Sequence, residues 1–406
     1  MNARQCDIAI LGGGLAGGLV ALAFARHRPD LKILLVERDA HLGGNHVWSF
    51  FGTDVDADGM AVLAPLISAS WQGYSVRFPE FSRDLPTTYH SITSENFDAQ
   101  LRAALPEGAI LTGAQVAQCS ANEVVLSDGT PIQAGAVIDA RGLNSVAGLT
   151  GGWQKFVGQR LKLAAPHGLA RPIVMDATVA QIDGYRFVYA LPFAADEVFI
   201  EDTYYSDDSL LNPAALRDRI RAYAAAQGWQ IESILAEEQG VLPVVSGGDF
   251  AKFWSAVDQS GDRSGDQGIA RVGTRAGLFH ALTSYSVPDA INLALALAHH
   301  SDPIGEQLAP FTQDWAKQHW QKGRYYRALS ALLFDAAVPS ERYRVLQRFY
   351  SFDGSLIERF YAGRSTIFDK ARVLIGKAPL PVSRAIGVLS GLGAQPSLLN
   401  ATKISS

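Results

Sequence analysis

Residues 8–11 of the chain (Ile8, Ala9, Ile10, Leu11) form an unbroken apolar run, and the chain then switches to glycine at Gly12, Gly13, Gly14, Gly17 and Gly18. Behind the glycines, Leu19, Val20, Leu22, Ala23 and Ala25 recur at helical spacing. A second apolar run from Ile33 to Val36 follows and ends in Glu37. This pattern predicts strand, tight loop, helix and strand. Further on, Ser94 with Phe97, Leu101 and Leu105 predicts a capped helix. Residues 124–132 read as a hairpin around Asp128-Gly129, and 135–142 as a buried strand ending in small residues. From 173 to 205 the pattern becomes three short strands, punctuated by Gly184 and Pro192, which predicts an antiparallel sheet. Residues 213–229 carry Leu216, Ile220, Tyr223 and Ala224 on one helical face, and a short apolar piece, 231–235, comes next. Residues 269–280 read as another strand and glycine turn, 288–298 as a long helix, and 311 to about 393 as helices rich in aromatics and arginines.

The glycines have separate tasks if the first unit is a dinucleotide site. Gly12 permits the tight turn, Gly14 lets backbone approach a pyrophosphate, and Gly17 lets helix and strand pack closely. The helix start at Leu15 and Ala16 offers unpaired N–H groups and a positive dipole end to the phosphates. Glu37 stands ~20 residues beyond the last glycine, where a carboxylate meets a ribose hydroxyl. A second glycine turn at Gly273, Ala276 and Gly277 would bring further amides to the same ligand. The order of these elements resembles the two-dinucleotide-binding-domain flavoproteins, in which the first glycine loop holds FAD. The expected fold is therefore α/β: an FAD-binding Rossmann-type domain, an antiparallel-sheet substrate domain and a C-terminal helical cap. The cofactor domain is assigned 1–75, 94–160 and 265–310. An excursion, 76–93, and residues 161–264 form the substrate domain, and 311–406 the helical region.

Composition narrows the function classes. The chain has 406 residues, 48% hydrophobic and 18% charged, with a net charge of −5. Nucleic-acid binding would call for a basic face, which this balance does not offer. Two cysteines, Cys6 and Cys119, make neither a disulfide framework nor a metal cluster, so no metal site is expected. The first strand begins so early that no secretory signal is expected, and no uncharged apolar stretch reaches the ~20 residues of a spanning helix. Residues 258–268 read as a flexible surface loop. The arginines among aromatics in the tail fit a packed cap with a solvated face, or a surface that rests on a membrane.

Candidate chemistry lies in two places. The loop Gly43, Gly44, Asn45, His46 suits a close approach to a bound cofactor, with His46 and Trp48 able to reach its ring or a substrate; an ordinary turn with a core tryptophan is the alternative. In the predicted strand around Glu201, alternation puts Phe199, Glu201 and Thr203 on one face and Ile200 and Asp202 on the other. A carboxyl against an apolar cavity has its pKa raised, more so beside a second carboxylate, and is then an acid at neutral pH. An edge-strand acid exposed to water is the alternative.

Beyond the glycine loop, the segments 43–49, 166–169, 175–178, 184–187, 200–203, 275–280, 347–350 and 359–363 together closely resemble the bacterial, flavin-dependent lycopene cyclases. The resemblance covers nearly the whole chain. It implies an enzyme of carotenoid biosynthesis that binds FAD in its reduced form, with NAD(P)H or a reductase as electron donor. Its substrates are lycopene and related linear carotenes, and its place is peripheral, on the cytoplasmic side of the membrane. The implied reaction is a non-redox isomerisation, lycopene to β-carotene via γ-carotene, in which protonation of a ψ-end gives a cation that closes to a β-ionone ring. The family's acidic motif maps onto Glu201 and Asp202, with Glu201 as acid/base. Cation–π contributions are expected from aromatic residues such as Trp48, Trp71, Tyr185, Phe187 and Tyr285. Two departures stand out. Gly273 is followed by Thr274 rather than aspartate, a loss the lycopene cyclases share, and Ser284 replaces the family's usual glycine before Tyr285, where only glycine takes positive φ freely. The competing reading is a redox flavoenzyme, a monooxygenase or dehydrogenase acting on a lipophilic substrate; a nucleotide-binding sensor without catalysis is a third.

Overall fold

The structure is a computed structural model that describes residues 4–258, 268–305, 307–375, 382–389 and 398. The first strand, Arg4–Leu11, lies at the centre of a seven-stranded sheet. It pairs in parallel with Ile33–Val36 on one side and Pro131–Asp139 on the other. Ile33–Val36 and the second half of Pro131–Asp139, from Ala136 on, are buried throughout, as parallel strands are. Helix Leu15–His27 covers one face together with Val287–Ala298. The hairpin around Asp128-Gly129 forms as expected: Glu123–Leu126 runs antiparallel to Pro131–Asp139, with Gly129 at φ +83°. The short strand Ala270–Arg271 returns to this sheet beside Ile138 and Asp139.

A second seven-stranded sheet carries the order Ile231–Gly248, Leu149–Leu163, Glu197–Ser206, Tyr185–Ala194, Ile173–Asp176, Tyr74–Phe78, Phe81–Leu85. Every neighbouring pair is antiparallel except Ile173–Asp176 with Tyr74–Phe78. A small third sheet joins Val47–Phe51, Tyr89–Thr93 and Ala69–Trp71. Several expected limits shift. The boundary at 160/161 falls inside Leu149–Leu163, which pairs with the second sheet along its length, and that at 75/76 falls inside Tyr74–Phe78. Leu149–Leu163 escapes a periodicity reading because it is buried on both faces and still carries Gln154, Lys155 and Gln159. The piece expected at 231–235 extends to Gly248. Helix Ser94–Ala104 is capped by Thr93, not Ser94. Most of the expected surface loop, residues 259–267, lies outside the described residues.

The two faces of the second sheet differ. One is packed by helix Pro213–Ala226 through Leu216, Ile220, Tyr223 and Ala224. The other is a wall of aromatics, with Tyr185, Phe187, Phe199 and Tyr205 meeting Phe334, Phe349 and Tyr361 of the C-terminal helices. Arg342 pins that helical region to the sheet. Its buried guanidinium donates to the carbonyls of Leu333 and Phe334 at 3.0 Å and of Tyr205 at 3.3 Å, and pairs with Asp207 at 2.8 Å.

Candidate active site

At the carboxyl end of the parallel strands the glycine loop has the shape of a phosphate cradle. Gly12 stands at φ +101°, and a Cβ there would lie 2.7 Å from the Ala140 carbonyl oxygen. A Cβ at Gly17 would overlap the Gly12 carbonyl, whereas one at Gly14 would meet nothing within 4 Å. The helix beginning at Leu15 and Ala16 has no side-chain cap. Glu37, at the end of its strand, accepts from Gly13 N at 2.6 Å and Asp39 N at 3.0 Å. Gly273, at φ +60°, abuts the helix start, since a Cβ there would lie 2.5 Å from that of Ala16. Ala276 is buried, and Gly277 closes the turn at φ +72°. Open space at Gly14, uncapped amides and an acid at the strand end are what an FAD diphosphate and ribose require, and the residues present fit that cofactor.

Gly44, Asn45 and His46 meet the substrate sheet. After Gly44 turns the chain at φ +64°, Asn45 Nδ2 donates to the Glu237 carbonyl at 3.1 Å, and His46 Nδ1 lies 3.3 Å from Glu238 Oε2. Val47 N donates to the same oxygen at 3.0 Å. The loop therefore ties the nucleotide domain to strand Ile231–Gly248. Between them lies a cavity of about 410 Å³, lined among others by Leu42, His46, Phe199 and Glu238.

The strand register explains how two acids meet. Glu201 and Glu238 both stand opposite Gly158, one on each neighbouring strand, so all three share a face. A Cβ at Gly158 would overlap the Phe199 ring and sit 3.2 Å from Cγ of Glu238. The missing side chain leaves room for the ring to lie across the central strand and for the carboxyls to come within hydrogen-bonding reach. Glu201 is 9% exposed and Glu238 3%. Burial, followed by the charge of Glu238, pushes the Glu201 pKa well above the carboxylate range, against the Thr203 hydroxyl that donates to it. Burial raises Glu238 as well, but His46 and the Val47 amide oppose the rise. The donors that oppose the rise at Glu238 favour the proton on Glu201. Around it stand Tyr189, its partner in register, Tyr89 and Tyr285. The Tyr285 hydroxyl lies 3.1 Å from that of Tyr89 and 3.4 Å from that of Tyr189, and burial keeps all three phenols neutral.

Asp202 requires a correction to the expectation that it is catalytic. It projects from the opposite face, fully buried, and its two oxygens take Arg186 Nε at 3.0 Å, with Nη2 closer still. Both partners are used up in this ion pair on the side of helix Pro213–Ala226, so Asp202 does not reach the aromatic wall. Of the expected aromatics, Tyr185 and Phe187 stack at 5.1 Å within the wall and Tyr285 joins the tyrosine cluster. Trp71 lies at its margin, bonded to the Pro192 carbonyl at 3.1 Å, and Trp48 packs on Phe97 on the nucleotide side instead. Ser284, in place of the usual glycine, adopts φ +58°, with its hydroxyl on the Pro243 carbonyl at 3.0 Å. Glu238 was not among the residues anticipated from sequence. The signal is the Glu237-Glu238 pair two residues before Gly240, which lies beyond the apolar piece 231–235 in a part of the strand that periodicity does not mark.

Comparison with known proteins gives these features a family. The family model described as lycopene cyclase protein matches residues 7–386. The chain is 43% identical to a lycopene beta-cyclase of Pseudescherichia vulneris over 379 residues, 93% of this chain and 96% of that protein. It is 41% identical to one of Pantoea ananas over 380 residues, 94% of this chain and 97% of that protein. Among solved structures, a geranylgeranyl bacteriochlorophyll reductase-like protein of Thermoplasma acidophilum superposes with a TM-score of 0.60 at 13% identity, covering 96% of this chain and 100% of that one. A 2-methyl-3-hydroxypyridine-5-carboxylic acid oxygenase follows at 0.56, also 13% identical, covering 90% and 99%. At such identities these two speak for the flavoprotein fold alone. The family match, in contrast, runs through the glycine loop, Glu201, Glu238 and the helical region alike: the chain belongs to the lycopene cyclase family.

Proposed function

We propose that this chain is a lycopene β-cyclase that closes β-ionone rings on the ψ-ends of lycopene by acid-initiated, non-redox chemistry. The observation that carries the reading is a glutamic acid, Glu201, buried on an aromatic face of the substrate sheet, where burial and the neighbouring Glu238 raise its pKa. Its proton adds to the terminal C=C of a ψ-end, and a tertiary cation results. The neighbouring double bond attacks that cation, and loss of a ring proton completes the new ring. The aromatic faces favour the cation by ~0.5–2 kcal/mol each where they meet it, and burial among apolar side chains protects it from hydration.

The amides of Gly12 to Gly17 and the Glu37 carboxylate would hold the FAD diphosphate and ribose, with Gly273, Ala276 and Gly277 completing the cradle. When bound and reduced, with electrons from NAD(P)H or a reductase, the flavin supplies negative charge that favours a cationic substrate without consuming electrons. The hydrocarbon substrate favours a peripheral place on the cytoplasmic membrane surface. Among the described residues no helix is long and apolar enough to cross a membrane. Helix Ile367–Leu374, however, turns an apolar face outward: Ile367 is 82% exposed, Phe368 86%, Leu374 50%, and the following Ile375 65%.

The deciding experiment supplies lycopene to the FAD-loaded protein under nitrogen after a single flavin reduction. Many rings formed per flavin support the cyclase. One NADPH consumed per ring would establish the redox alternative instead.

A further inference from the structure

The proposed reaction assigns a task to Glu201 and none to the second buried acid beside it. Glu238 accepts from Val47 N at 3.0 Å and faces His46 Nδ1 at 3.3 Å. The His46 side chain is 45% exposed at the rim of the 410 Å³ cavity. Glu201 and Glu238 share a face on either side of Gly158, and His46 leads from Glu238 to the exposed rim, so the three groups line the way from the aromatic wall toward water.

We propose that Glu201 and Glu238 act as one carboxyl pair holding a single proton, and that His46 is the positioning residue that keeps the negative charge on Glu238 and connects the pair to water. The inference rests on the cyclase reading and gives the proton a source and a destination. As the Glu201 O–H bond breaks and a C–H bond forms on the CH carbon of the terminal C=C, the cation is left on its dimethyl-bearing carbon and the pair is left with two negative charges facing it. When the ring C–H bond breaks, its electron pair becomes the ring double bond and the proton returns to the pair. One proton leaves, one comes back, and no electrons are exchanged. Two adjacent carboxylates cannot both stay ionised in a buried site at little cost, so the emptied pair is a stronger base than either glutamate alone. This suits the second step, which needs a base where the first needed an acid.

The other titratable groups near the pair do not substitute for Glu238. Tyr89 and Tyr189 face Glu201 as neutral phenols. Asp202 is held behind the sheet by Arg186. At the cavity rim, Glu237 is taken by Arg217 at 2.9 Å, and Arg160 lies 3.4 Å from Glu95.

The test uses the full-length, FAD-loaded protein and two measurements. The first needs no substrate: an infrared titration follows the carbonyl band of the buried carboxylic acid, assigned by its loss in Glu201→Gln. In Glu238→Gln the like-charge repulsion is gone, and the band disappears at a pH lower by about one unit or more. In His46→Ala a donor to the ionised carboxylate is gone, and the band persists to higher pH. The second measurement is the alkaline limb of β-carotene formation, which moves in the same two directions. Titrations that coincide in wild type, Glu238→Gln and His46→Ala overturn the proposal. A Glu238 that merely holds the loop in place would lower the yield of folded, flavin-loaded protein and move neither titration. His46→Ala leaves both carboxyls in place and carries the test alone should Glu238→Gln fail to fold. Failure of the cyclase reading looks different: the infrared titrations shift while wild type makes no β-carotene.

Discussion

At the scale of single residues, the site depends on a side chain that is missing. Gly158 leaves the space that the Phe199 ring occupies, and it sets Glu201 and Glu238 in register on either side. Gly158→Val would drive that ring out of place. The expected cost is about 1–3 kcal/mol of stability together with loss of cyclisation, measurable as a lower melting temperature and an absence of product. Glu201 has a predictable effect on stability as well. The folded protein holds its proton to a higher pH than an unfolded glutamate does. Between those two pH values the native state binds more protons than the unfolded chain, so stability falls as pH rises. Glu201→Gln removes this titration. The variant is expected to melt higher than wild type at alkaline pH, by about 1.4 kcal/mol for each pH unit of the raised pKa, with the gap closing as pH falls toward the ordinary glutamate range; parallel melts across pH check this. Ser284, at φ +58°, pays for a left-handed backbone with about 1–2 kcal/mol and recovers part of it through its bond to the Pro243 carbonyl. Ser284→Ala loses the bond without relief and should melt below wild type, while Ser284→Gly should not. Alternation alone placed Glu201 with Phe199 and Thr203 and set Asp202 on the other face. Its ion pair with Arg186, sixteen residues away in sequence, and the approach of Glu238 across Gly158 depend on strand register, which sequence spacing does not carry.

At the scale of elements, the first βαβ unit was legible because its two strands are uninterrupted apolar runs and its helix keeps a single period. Leu149–Leu163 and Ile231–Gly248 were not, because a long strand buried on both faces, or one that carries Glu237, Glu238 and Gln239 in succession, has no alternation to read. The helix Ile367–Leu374 is the element with the most direct consequence. Its inward side is fastened by a capping box at Thr366 and by Asp369, whose oxygens take Arg359 at 2.7 Å. Its outward side carries Ile367 and Phe368, with Lys370, Arg372 and Arg348 resting over the nearby rings of Tyr325 and Phe352. Apolar side chains rimmed by cations suit an anionic lipid surface. Phe368→Glu is expected to reduce sedimentation with anionic vesicles severalfold while leaving flavin absorbance unchanged, since the side chain is 86% exposed. Equal vesicle binding by the variant would remove this helix from the membrane contact.

At the scale of the molecule, the protein joins a nucleotide domain to an aromatic sheet, with the loop 44–47 among the contacts between them, and closes that sheet with helices pinned by Arg342. The division of labour follows from this arrangement. The glycine loop secures the cofactor at one end, the buried carboxyl pair lies on the substrate sheet, and the loop 44–47 holds the two parts in register. Gly14→Val would put a branched side chain into the open space at the helix start, and is expected to yield protein without flavin absorbance. The central claim, however, is that proton transfer from a buried acid drives a reaction with no net redox change. The most direct test is to reduce the bound flavin once, exclude oxygen and further reductant, and count β-carotene formed per flavin in wild type and in Glu201→Gln. Many turnovers in wild type and none in a flavin-loaded Glu201→Gln are predicted. One turnover per flavin in wild type, or an undiminished rate in Glu201→Gln, would contradict it.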